Sequence, residues 1–109
     1  MTTVKFYQDR NSTFCGFEIS GHAGYARCGQ GDIVCAAISM LVNTTINSIE
    51  KFAQLPYSYE EDEKSGYMKF MLKVMPNSEA ELLLKSMELG LSALAEQYKK
   101  NLTLRFEEV

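Results

Sequence analysis

Acyl-transfer chemistry at neutral pH needs a nucleophile and a proton carrier, and the chain's thiols and imidazoles are few: cysteines at 15, 28 and 35, and one histidine, His22. Two of the thiols and the imidazole fall in a single stretch, SGHAGYARCGQGDIVCAA, residues 20–37. A thiol attacks as the thiolate, and an imidazole that takes its proton can return it to a leaving amine, so a Cys-His pair suffices to cleave a peptide bond. Cys35 is the candidate nucleophile. It follows Asp32 by three residues, Asp32 is suited to N-cap a helix, and the positive end of a helix favours thiolate. Ser39, four residues further on, shares a helical face with Cys35. Its hydroxyl either reaches the sulfur or substrate, or bonds back to the Cys35 carbonyl. No third residue orienting His22 is identifiable.

Other chemistries for the same residues fit less well. Cys15, Cys28, His22 and Cys35 lack the C-x-x-C knuckle of a structural zinc site, and no metal or other cofactor is expected. Gly24, Gly29 and Gly31 suggest a phosphate cradle, but the Lys-Ser/Thr that completes one is missing. A thiol redox enzyme would need Cys28 as resolving cysteine, and a non-catalytic peptide-binding module would need no perturbed thiol.

These residues must be held by elements that hydrophobic period and turn chemistry define. Val4 and Phe6 alternate with Lys5 and Tyr7, DRNS turns the chain, and Cys15, Phe17 and Ile19 line one face of a second strand. Val34, Ile38, Leu41, Thr45, Ile49 and Phe52 recur at helical spacing up to Pro56, so Cys35 opens a helix and His22 falls just past a strand. Tyr57 to Asp62 and Tyr67 to Val74 read as a hairpin turning at KSG, with Met68, Phe70, Leu72 and Val74 on one side. EEDEKS reads as a solvated turn that protects a sheet edge. Ser78 and Glu81 have capping-box spacing ahead of a stripe of Ala80, Leu84, Met87, Leu91, Leu94 and Tyr98. Gly90 within it marks a close approach by another backbone. Leu102, Leu104 and Phe106 make a last strand. The order ββαββαβ predicts an α+β domain, two helices packed on a mostly antiparallel sheet.

Composition bounds the rest. The 109 residues, 46% of them hydrophobic, suit one domain with one core over residues 1–109. A net charge of −3, with no basic run beyond Lys99 and Lys100, argues against direct nucleic-acid binding. MTTVKFYQDR alternates where a signal peptide would be continuously apolar, and no apolar stretch reads as long enough to span a bilayer. An odd number of cysteines without close pairs predicts free thiols in a reducing, cytoplasmic setting.

GHAGYA, followed after a short glycine-containing loop by DIVCAAIS, resembles the signature of the ribosomal-processing cysteine protease Prp family. The similarity extends over essentially the whole chain. It implies an endopeptidase that removes the short N-terminal extension of large-subunit ribosomal protein twenty-seven just after an aromatic residue, so that the mature N-terminus can approach the peptidyl-transfer centre. It places the nucleophile on Cys35 and the base on His22, with Gly21, Asp32 and Ser39 at flanking positions. It also implies a homodimer and a mobile substrate loop over about residues 23–31, with Ala23, Gly24, Tyr25, Gly29 and Gly31 in it. It assigns no role to Cys28.

Overall fold

The computed structural model describes residues 1–21 and 30–109, with side chains described for all of these except 30–32. Its elements are β1 (Thr2–Gln8), β2 (Phe14–Ser20), α1 (Gln30–Ser48) continued by a π-helical turn (Ile49–Ala53), β3 (Tyr57–Asp62), β4 (Tyr67–Leu72), α2 (Ser78–Gln97) and β5 (Leu102–Glu108). The strands form one sheet in the order β3-β4-β2-β1-β5. All pairings are antiparallel except β1 with β5. The expected element order and α+β class are both present.

The sheet's helix-facing side is organised by a row of rings. Phe106, Phe6, Phe17, Phe70 and Tyr59 are register partners from strand to strand across all five strands. Ring centroids lie 5.9 Å apart for Phe6 and Phe106, 6.2 Å for Phe6 and Phe17, and 5.1 Å for Phe17 and Phe70, all within the range of favourable aromatic packing. Phe6, Phe17 and Phe70 are fully buried in one core with Val34, Ile38 and Val42 of α1 and Leu84, Met87 and Leu91 of α2. On the opposite face the partners Lys5, Glu18, Lys69 and Glu60 alternate in sign from β1 to β3, while on its other side Lys5 is the register partner of Arg105 and forms an ion pair with Glu107 at 3.4 Å.

Several local readings are corrected. A β-bulge shifts the register between Tyr7 and Gln8, so Gly16 and Phe14 pair while Cys15 does not. Phe14, not Cys15, then takes the core position, 4.9 Å from the Phe6 ring. The turn before it is held by Asp9, whose Oδ1 accepts from the amides of Asn11 at 2.8 Å and Thr13 at 3.0 Å. α1 begins at Gln30, which puts Asp32 in its first turn rather than at the N-cap, and Cys35 in its second. Phe52 is 65% exposed and Ala53 is buried instead. The amide of Gln54 bonds the Ile49 carbonyl at 2.8 Å, an i→i+5 bond that widens the last turn and brings Ala53 under Ile49.

α2 is capped by Asn77 rather than Ser78. The Asn77 Oδ1 accepts from the Ala80 amide at 2.9 Å and its Nδ2 donates to the Ala53 carbonyl at 3.1 Å. A serine hydroxyl is too short to do both, so the asparagine takes the cap. β4 ends at Leu72, and Val74 is exposed beyond it. The neighbour of Gly90 is the Leu41 side chain, 3.0 Å from where a Cβ would stand, and not a backbone. Ile33–Ala53 is long and apolar enough to cross a membrane by length and composition, with a mean hydropathy of 1.4, contrary to the sequence expectation. Its apolar side is a core face: Val34, Ile38, Val42, Ile46 and Ile49 are buried against the sheet and α2.

Candidate active site

Gly21 ends β2 with a φ of 86°, and a Cβ there would collide with the Met1 carbonyl oxygen. Only glycine lets the chain leave the sheet at this point. On the same end of the molecule α1 brings Cys35 and, one turn later, Ser39. The β3–β4 turn closes the third side at Gly66, whose φ of 69° and amide bond to the Glu63 carbonyl at 3.3 Å reverse the hairpin.

Between them lies a cavity of about 150 Å³. α1 contributes Cys35, Ser39 and Ile38; the sheet contributes Thr2, Ile19 and Gly21; the turn contributes Gly66. Three expected site residues, Cys35, Ser39 and Gly21, are therefore brought together on one cavity. Thr2, Ile19, Ile38 and Gly66 were not anticipated there. Ile19 and Ile38 carried only a core-face signal, and nothing local marks Thr2 or Gly66, which arrive through strand pairing. His22, Ala23, Gly24, Tyr25, Cys28 and Gly29 lie outside the described residues. Gly31 and Asp32 are placed in the first turn of α1 by backbone alone.

The two described cysteines differ in surroundings. Both thiols are free and half-buried. Cys15 Sγ donates to the Tyr7 carbonyl at 3.5 Å, and burial, then the nearby Asp9 carboxylate, push its pKa up. A thiol held protonated in this way is a poor nucleophile. Cys35 faces the cavity instead. A larger concavity of about 490 Å³, lined from Glu96 to Asn101 at the end of α2, contains neither of these cysteines. Among the described residues no group of His, Cys, Asp and Glu is arranged to hold a metal ion.

The model of the family described as cysteine protease Prp matches residues 1–103. The chain belongs to that family. It is 32% identical over 90 residues to the ribosomal processing cysteine protease Prp of Bacillus subtilis, which covers 79% of this chain and 80% of the relative. The Staphylococcus aureus protein of the same name is 28% identical over 82% of this chain and 83% of its own. A crystal structure of S. aureus Prp with a covalently linked product peptide superposes with a TM-score of 0.89 at 26% identity, covering 98% of this chain and 100% of that one. SMU.848 from Streptococcus mutans gives 0.89 at 31% identity, over 100% and 96%. As a member of this family the chain is a cysteine-type endopeptidase, and a cavity with a free thiol in its wall is what that chemistry requires.

Proposed function

We propose that the chain removes the short N-terminal extension of large-subunit ribosomal protein twenty-seven, cutting just after an aromatic residue, with Cys35 as nucleophile and His22 as general base and then acid. The observation that carries this reading is the cavity in which Cys35 stands with Ser39 and Gly21. Its support is the family's ribosomal-processing members.

In this mechanism His22 takes the Cys35 proton and the sulfur adds to the peptide carbonyl. The C–N bond then breaks as His22 protonates the leaving amine. Water, deprotonated by His22, hydrolyses the thioester and restores the thiol. The first amides of α1 lack intrahelical acceptors and are the candidates for stabilising the oxyanion. The Cys35 amide, in the second turn, belongs to the helix's own ladder. Asp32 in the first turn places a negative charge near the positive helix end, which favours the helix. The glycine-rich segment 23–31 contacts the peptide, and the protein works as a homodimer in the cytoplasm.

Incubating the purified protein with the precursor and weighing the products tests this. Two fragments meeting after an aromatic residue support it, and an intact precursor contradicts it.

A further inference from the structure

α1 carries no charged residue from Ile33 to Ile49, yet along it Cys35, Ser39, Asn43 and Asn47 recur at every fourth position. Ser39, Asn43 and Asn47 are exposed. Residues four apart on a helix are neighbours, rising about 6 Å per step. An extended peptide presents its main-chain groups to one side about every 6.6 Å, two residues at a time. A hydroxyl and two amides at this pitch, starting from the nucleophile, match a main chain laid along the helix, because each amide both donates and accepts.

The other wall of this track is the sheet edge. Tyr59 is the β3 member of the aromatic row, on the helix-facing side, yet it is 43% exposed while its partner Phe70 is fully buried. Tyr57 packs on Phe70 at 4.9 Å between centroids. A second cavity, of about 240 Å³, lies here between helix and strand, lined by Asn43, Asn47 and Ile46 of α1 and by Tyr57 and Tyr59 of β3. The Tyr57 hydroxyl donates to Glu50 at 2.9 Å, so that ring is fixed from its far end. The cavity floor is then two aromatic rings beside one isoleucine. Both cavities lie along α1, the first against the ends of β1 and β2 with Gly66 of the β3–β4 turn and reaching Ser39, the second against β3 and beginning one helical turn on at Asn43.

We propose that the Cys35–Ser39–Asn43–Asn47 row is a main-chain track for the peptide substrate, and that the Tyr57/Tyr59/Ile46 cavity is a subsite for one large apolar side chain remote from the scissile bond. Asn43 to Asn47 lies about 12 to 18 Å along the helix from Cys35, which corresponds to roughly four to five extended residues. The subsite rests on the proteolytic reading above and adds a specificity determinant to it. An apolar residue bound there makes recognition depend on a segment and not on the bond alone.

An alanine scan of a synthetic peptide spanning the ribosomal protein's processing site, cleaved by wild type, Tyr59→Ala and Tyr59→Phe, tests this. One apolar position four or five residues from the bond should lower kcat/KM about tenfold with wild type, mostly through KM. With Tyr59→Ala the unsubstituted peptide should already show that loss, and the alanine at that position should add nothing, the coupling expected of groups in contact. Tyr59→Phe, which keeps the ring and loses only the hydroxyl, should keep the dependence on that peptide position. Additive losses, or sensitivity confined to the two residues on either side of the bond, overturn the subsite while leaving the protease intact. No cleavage of the unsubstituted peptide by wild type overturns the proposed function itself, and the subsite with it.

Discussion

The Cys15 thiol lies 3.5 Å from the carbonyl oxygen of Tyr7, its hydrogen bond closing over a β-bulge, whereas the other described thiol, Cys35, stands in the wall of a cavity. One sulfur is bonded to a strand carbonyl and the other opens into the cavity.

Selective alkylation follows from that contrast. Iodoacetamide at pH 7.5 should modify Cys35 at least tenfold faster than Cys15, read by peptide mass mapping over time. The Cys15 pKa is raised on folding, so its contribution to stability is complete below the unfolded value near 8.5 and is lost as pH rises through the folded one. Its alkylation should accordingly begin only at more alkaline pH. Equal rates for the two thiols at pH 7.5 would contradict the distinction.

The cap of α2 yields a second test. Asn77→Ala removes the acceptor for Ala80 and the donor to Ala53 together, and should lower stability by about 1 to 2 kcal/mol in urea unfolding. Ser78→Ala, which removes no capping bond, should stay within about 0.5 kcal/mol. The reverse order would restore the serine as cap.

A third concerns the open face of the sheet, where the Tyr7 hydroxyl donates to Glu18 at 2.6 Å with the Lys69 ammonium 5.3 Å from its ring. Burial first, and then the Glu18 carboxylate, raise the phenol well above its ordinary value. Folding therefore favours the protonated phenol. The stabilisation is full below about pH 10 and disappears as pH rises through the folded value. Ultraviolet titration should show a tyrosine ionising later than the rest, missing from Tyr7→Phe, and that variant should lose about 1 kcal/mol at pH 7.

The parts of this architecture written in local sequence were legible as sequence. Period-two and period-3.6 patterns set the strands and helices, and Cys35 with Ser39 could be paired because four residues of helix always bring two side chains together. What escaped were features decided by distant partners. Alternation through Cys15, Phe17 and Ile19 looked unbroken, but whether a strand bulges depends on the strand beside it. Asn77 wins the cap through a bond to Ala53, 24 residues away. Phe52 faces out because of a widened turn whose bonding no hydrophobic pattern records. Thr2 and Gly66 reach the Cys35 cavity only because β1, β2 and β4 lie side by side in the sheet.

The central claim is that Cys35 is the nucleophile, and single-turnover cleavage of the ribosomal precursor by Cys35→Ala, Cys15→Ala and Cys28→Ser, each also melted, tests it most directly. Cys35→Ala should give no product in the time wild type needs for completion, with a melting midpoint within a few degrees of wild type. Cys15→Ala and Cys28→Ser should keep most of the rate. Cleavage by Cys35→Ala at the wild-type site, or loss of it in a folded Cys15→Ala, would contradict the account.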